Sequence, residues 1–114
     1  MVEMDLSALT GMSKEIIERH MKLISALLCQ KDFYLSSLCT SLSFAYVALG
    51  RIDGYANGFG KVWDTAAANF LVEQAGGVIT QMDGKPWTLD SDNVLGSFES
   101  KLHAELLRIL NTKL

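Results

Sequence analysis

Two helical segments that stop at glycine, each followed at once by a strand-like run, restrict this chain more than any other feature. Residues 39–49 form an apolar segment of helical length ending at Gly50, and residues 65–74 form another ending at the Gly76-Gly77 pair. Glycine enters the left-handed conformation that closes a helix without the Cβ clash other residues suffer. Directly behind these stops lie short strand-like runs at 52–56 and 78–82. Helical and strand periods therefore alternate, and the expected fold class is α/β: a layered sheet covered by helices.

The remaining elements fit that alternation. Ser13 offers an N-cap to a helix over 14–28, in which Ile17, Met21, Ile24 and Leu28 recur on one face. Short strands are predicted at 6–10 and 33–36. The 39–49 segment leaves little polar face and is expected to be deeply buried. Residues 57–60 read as a loop, and Asp64 reads as the N-cap of the helix over 65–74. Asp83-Gly84 makes a turn tight enough for a hairpin, and Pro86 bars a central strand at that point. A strand at 94–98 and a helix at 100–111 complete the series, with Leu102, Leu106, Ile109 and Leu110 facing the core. For 114 residues, about two-thirds of the unfolded surface can be buried, so residues 1–114 are expected to form a single domain.

Composition removes several classes of function. The net charge is −3 and the ten Lys and Arg are scattered, which leaves no basic surface for nucleic acid. No apolar run approaches the roughly 20 residues that cross a bilayer, and residues 1–10 lack the features of a signal peptide. The expectation is a cytoplasmic protein with neither nucleic acid nor membrane as partner. Cys29 and Cys39 lack metal-ligand spacing and are expected to be reduced, packed thiols. There is no placeable Ser/His/Asp set, no Cys-x-x-Cys, no His-Glu-x-x-His and no phosphate loop of the Walker type. His20 and His103 read as ordinary surface or boundary histidines on helices. Trp63, Phe44, Tyr46 and Phe70 are expected to fill the core between helix and sheet. Arg51 and Asp53 flank a turn and are expected to pair with each other or with a neighbour.

Asp64 stands apart from these. It follows a glycine-rich loop and Trp63, and it opens a helix of small residues, Thr65 to Ala68. An N-cap carboxylate holds the first helical amides with one oxygen and can offer the other to a hard cation. Capping alone also accounts for the pattern.

Taken together, Gly50-Arg51-Ile52-Asp53-Gly54-Tyr55, Trp63-Asp64-Thr65-Ala66-Ala67, Glu73-Gln74-Ala75-Gly76-Gly77-Val78-Ile79-Thr80 and Gly84-Lys85-Pro86 closely resemble the C-terminal half of the inositol monophosphatase family. Order and gaps both match, and the resemblance runs from about residue 10 to the C-terminal Leu-rich helix. It implies the C-terminal subdomain of the αβαβα sugar phosphatase fold and a Mg²⁺-dependent phosphomonoesterase acting on inositol or sugar monophosphates. It also implies that Asp64 ligates a catalytic magnesium. The expected chemistry is metal-assisted hydrolysis, in which ions activate water and neutralise phosphate oxygens and the leaving alkoxide.

The chain also departs from the pattern. The family's other metal ligands lie in a Glu-Glu pair and an Asp-Pro-hydrophobic-Asp-Gly-Thr motif, and this chain contains neither. One carboxylate cannot assemble a multi-magnesium site, so the chain looks like one part of a split enzyme, a truncated product or a separated piece. It is expected to be inactive without an N-terminal half. Where the family has Gly-Ser or Gly-Thr on the phosphate side, this chain has Leu38-Cys39 followed by Thr40. An acidic residue that binds a substrate hydroxyl is matched by Asn57, which keeps an acceptor oxygen and loses the charge. Cys39, Thr40 and Asn57 are therefore the expected substrate-side residues; Thr40 as a plain helix-start hydroxyl and Asn57 as a plain loop residue fit equally well. An alternative function is a non-catalytic interaction module, in which the surface an N-terminal half would cover serves as a homo-oligomer or partner interface.

Overall fold

The computed structural model describes residues 1–4, 13–30, 34–36, 42–57, 62–91 and 93–111, with the side chains at 3, 36, 42–44 and 62–64 excepted. Its elements run β1 (Val2–Met4), α1 (Lys14–Gln30), β2 (Leu35–Ser36), α2 (Leu42–Ala48), β3 (Gly54–Asn57), α3 (Val62–Gln74), β4 (Val78–Thr80), β5 (Val94–Ser97) and α4 (Ser100–Asn111). The five strands make one mixed sheet in the order β2-β1-β3-β5-β4. β1 is parallel to both β2 and β3, whereas β5 is antiparallel to β3 and β4.

Helices cover both faces, and the period-2 alternation of the central strands divides the core accordingly. Ala56 and Leu95, a cross-strand pair, join Val2, Met4, Leu23, Leu27, Leu106, Ile109 and Leu110 on the α1/α4 side. Tyr55 and Val94 join Val47, Ala68 and Val72 on the α2/α3 side. This is why β3 and β5 are buried at every position.

The punctuation behaves as glycine sterics require. Gly50 closes α2 at φ 74° and Gly76 closes α3 at φ 89°. The Asp83-Gly84 turn follows β4, with the Gln81 amide donating to the Lys85 carbonyl at 2.8 Å. Pro86 stays at the margin of the sheet, in a single bridge to Thr80. At the head of α1, the Ile17 amide donates to the Ser13 carbonyl at 3.1 Å.

Several expectations are corrected. The buried face of α1 is His20, Leu23 and Leu27, while Met21 and Leu28 are exposed. The apolar residues of α1 span a wide arc, and docking on the sheet selects one of two overlapping stripes. His20 is thus a core residue, its Nδ1–H donating to the Ile16 carbonyl at 2.9 Å. Cys29 is exposed rather than packed, because it lies off the stripe that the sheet selects. Phe70 is 60% exposed, since the core side of α3 is occupied by Ala68, Asn69 and Val72. The helix begins at Val62, so Asp64 sits within its first turn instead of capping it. The first strand is Val2–Met4, and the strand expected at 6–10 lies outside the described residues. Asp53 pairs with the Met1 amine, and the Arg51 guanidinium stands 6.0 Å from the Tyr46 ring centroid.

Candidate functional site

Because β1, β2 and β3 are mutually parallel, their carboxyl ends at Met4, Ser36 and Asn57 share one edge of the sheet. The crevice outside such ends is where open α/β sheets take ligands. Asn57 is the last residue of β3, opposite Val94, and is buried. It belongs to the strand rather than to the loop that the sequence suggests. Its side chain shares the α2/α3 face with Tyr55, two residues earlier. Four residues separate Asn57 from the start of α3, a span of at most about 18 Å when fully extended. The first turn of α3, with Asp64, is therefore tethered to the same edge. The first turn of a helix carries amides with no intrahelical partner and the positive end of the helix dipole. The Asp64 side chain lies outside the described ones, and Cys39 and Thr40 lie outside the described residues. Among the described residues no three His, Cys, Asp or Glu side chains form a group able to hold a metal ion.

Directly behind this edge lies a buried polar pair that the sequence reading does not single out. The Tyr55 hydroxyl donates to Asn69 Oδ1, joining β3 to α3 through the core. Burial pushes the Tyr55 phenol far above its usual range, and the nearby Glu73 carboxylate raises it further, so the hydroxyl stays a proton donor. The Tyr55 ring lies against Gly96, its cross-strand partner: a Cβ there would fall 2.5 Å from the ring. Asn69 Nδ2 is buried and has no partner among the described residues. An unsatisfied buried donor costs about 1–3 kcal/mol. The signal for this pair was one Asn in an otherwise apolar stretch of α3.

A second buried network ties α4 to the far strands. Thr80 Oγ1 donates to the Gln81 carbonyl at 2.7 Å and so accepts from His103 Nε2–H at 2.8 Å. Burial lowers the His103 pKa and so favours the neutral ring, in which Nδ1 accepts from the Ser97 hydroxyl at 3.0 Å. His103 is a structural bridge and not the boundary histidine that its helix position suggests.

A model of the inositol monophosphatase family matches residues 3–114. The chain belongs to this family. A family relative, the inositol-1-monophosphatase ImpA of Mycolicibacterium smegmatis, is 40% identical over 73 residues, which is 64% of this chain and 26% of that protein. A putative Nus factor SuhB from Neisseria meningitidis is 37% identical over 71 residues, 62% of this chain and 27% of its own. Among solved structures, the extragenic suppressor protein suhB of Bartonella henselae has a TM-score of 0.83 at 22% identity, covering 99% of this chain and 42% of that one. The Thermotoga maritima IMPase gives a TM-score of 0.70 at 27% identity, covering 96% of this chain and 39% of that one. The family fold expected from the sequence is thus the fold observed. The chain spans about a quarter of the length of these curated relatives and about two-fifths of the solved ones. No described helix is long and apolar enough to cross a membrane.

Proposed function

We propose that this chain supplies the carboxyl-terminal part of a Mg²⁺-dependent phosphomonoesterase site for inositol or sugar monophosphates. In this reading Asp64 is one metal ligand, and Asn57, Thr40 and Cys39 stand on the substrate side. The observation that carries it is the tethering of Asn57 and Asp64 to one sheet edge, within a chain matched by the family model from residue 3 to residue 114. Mg²⁺ takes six oxygen ligands, and the described residues do not form such a shell. In this reading the remaining carboxylates come from a complementary amino-terminal half carrying the Glu-Glu and Asp-Pro-hydrophobic-Asp-Gly-Thr motifs that this chain lacks, and residues 1–114 act as a single unit within the joint site.

The test is phosphate release from inositol 1-phosphate and from an aryl phosphate, with and without Mg²⁺. It is run on the chain alone and on the chain mixed with a separately produced amino-terminal half of a family relative. The chain alone is expected to be inactive. The mixture is expected to show Mg²⁺-dependent turnover that Asp64→Asn lowers by about 100-fold or more. Demonstrated association without turnover, or turnover indifferent to Asp64→Asn, would sink this reading.

A second reading is favoured by one specific observation. α3 exposes the adjacent apolar side chains Phe70 at 60% and Leu71 at 49%, area whose burial in an interface would be favourable. In this reading the face is a non-catalytic interface with another copy or another chain. Light scattering separates the two readings: a monomer of 12.5 kDa at all concentrations argues against self-association.

A further inference from the structure

We propose that Tyr55, Gly96 and Asn69 form a lock that sets the rotation of α3 about its own axis, and through it the placement of the α3 first turn, which carries Asp64, relative to the carboxyl edge of the sheet. An amphipathic helix is oriented by its stripe, because only one rotation buries the apolar residues. α3 lacks that determinant: Ala68 and Val72 face the sheet while Phe70 and Leu71 face outward, and turning the helix trades one apolar set for another. The hydrogen bond from the Tyr55 hydroxyl to Asn69 Oδ1 breaks this near-degeneracy. It is directional, it is buried at both ends, and it is lost if α3 turns or slides by a residue.

Gly96 makes the geometry available. With any Cβ at this position, ring atoms of Tyr55 would lie 2.5 Å away, and the hydroxyl would be displaced from Asn69. The pair is poorly explained as a source of stability, because it leaves buried Asn69 Nδ2 without a partner among the described residues; an apolar pair of similar shape would carry no such penalty. A buried polar contact retained against that penalty serves register, as single polar residues do in helix bundles. Asn57 follows Tyr55 by two residues on the same strand face, and Asp64 precedes Asn69 by five on the same helix. One bond therefore couples the two candidate site residues, and Tyr55 and Asn69 are positioning residues.

The functional consequence rests on the reading of Asp64 given above; the lock itself is measured without metal or substrate. The experiment records backbone amide spectra and thermal unfolding of the isotope-labelled chain, of Tyr55→Phe and of the double variant Tyr55→Phe/Asn69→Leu. The double variant is expected to unfold at or above the wild-type temperature, with amide signals of residues 62–74 and of Asn57 doubled or broadened. The signals of residues 100–111 are expected to stay single and sharp. A double variant with one sharp signal per amide throughout α3, at wild-type positions beyond the substituted residues' neighbours, overturns the lock. Should the double variant not fold, Tyr55→Phe decides by the same criterion, since it removes one oxygen and leaves the ring on Gly96. A failed lock leaves the phosphatase reading intact, and a chain that never releases phosphate leaves the lock intact.

Discussion

α3 and α4 pack on opposite faces of the same sheet and are nearly equal in length, yet they are built on different plans. α4 buries His103, Leu106, Ile109 and Leu110 along one stripe and turns Lys101 and Arg108 to water. α3 buries Thr65, Ala68, Asn69 and Val72 and still presents Phe70 and Leu71 outward. A helix with one apolar stripe has a single packing partner, whereas one that is apolar all round belongs between two layers. α1, beside α4, exposes two large apolar residues, Met21 and Leu28, two turns apart. The exposed large apolar residues of α3 are adjacent, whereas those of α1 stand apart.

The contrast is broken most severely at the α4 stripe. Leu106 is fully buried against β1, α1 and β5 residues, so Leu106→Ala is expected to cost about 3 kcal/mol, read by denaturant unfolding. Next comes Gly96→Ala on the α3 side. Its methyl group meets the Tyr55 ring, and the expected loss is about 2 kcal/mol. That loss should come with chemical-shift changes in α3 and not in α4; changes confined to α4 would invert the comparison.

The His103 bridge gives a smaller, pH-dependent effect. Its folded-state pKa lies below the ordinary 6.5, so the unfolded chain binds the proton more readily. Stability contributed by the neutral ring is complete above about pH 6.5. It declines as pH falls toward the lowered folded pKa and levels off below it. Thermal midpoints measured from pH 8 to pH 5 should show this decline, and His103→Gln should flatten it. A slope unchanged in the variant would assign the effect elsewhere. Smallest of all is the outer face of α3. Phe70→Lys with Leu71→Lys should shift stability by under about 0.5 kcal/mol per site, and should abolish any concentration-dependent association seen by light scattering. A loss of several kcal/mol would mean that this face is already covered within the chain.

Much of the fold was legible where a local rule decides it. Gly50 and Gly76 take the left-handed conformation at the expected helix ends, Asp83-Gly84 turns where expected, and α4 runs over residues 100–111 with the expected Leu106, Ile109 and Leu110 inside. Sequence pattern alone is ambiguous where two apolar arrangements of similar quality compete. On α1, Ile17, Met21, Ile24 and Leu28 form as regular a stripe as the His20, Leu23 and Leu27 stripe that is buried. For the site, the Trp63-Asp64 motif was legible as a family signature, while the Tyr55–Asn69 bond was not, because it joins residues that only the β3–β5 pairing and the docking of α3 bring together.

What the sequence by itself determined is therefore the order of elements, their glycine stops and the family. These depend on backbone sterics and on short-range periodicity, which act within a few residues. The tertiary structure alone decided which face of α1 is inside, that His20 and His103 are core residues, and that Gly96 admits a tyrosine ring. Hydrophobic burial has no direction of its own, so it cannot choose between equivalent stripes until a sheet is there to receive one of them. Directional hydrogen bonds between distant residues exist only after that choice has been made.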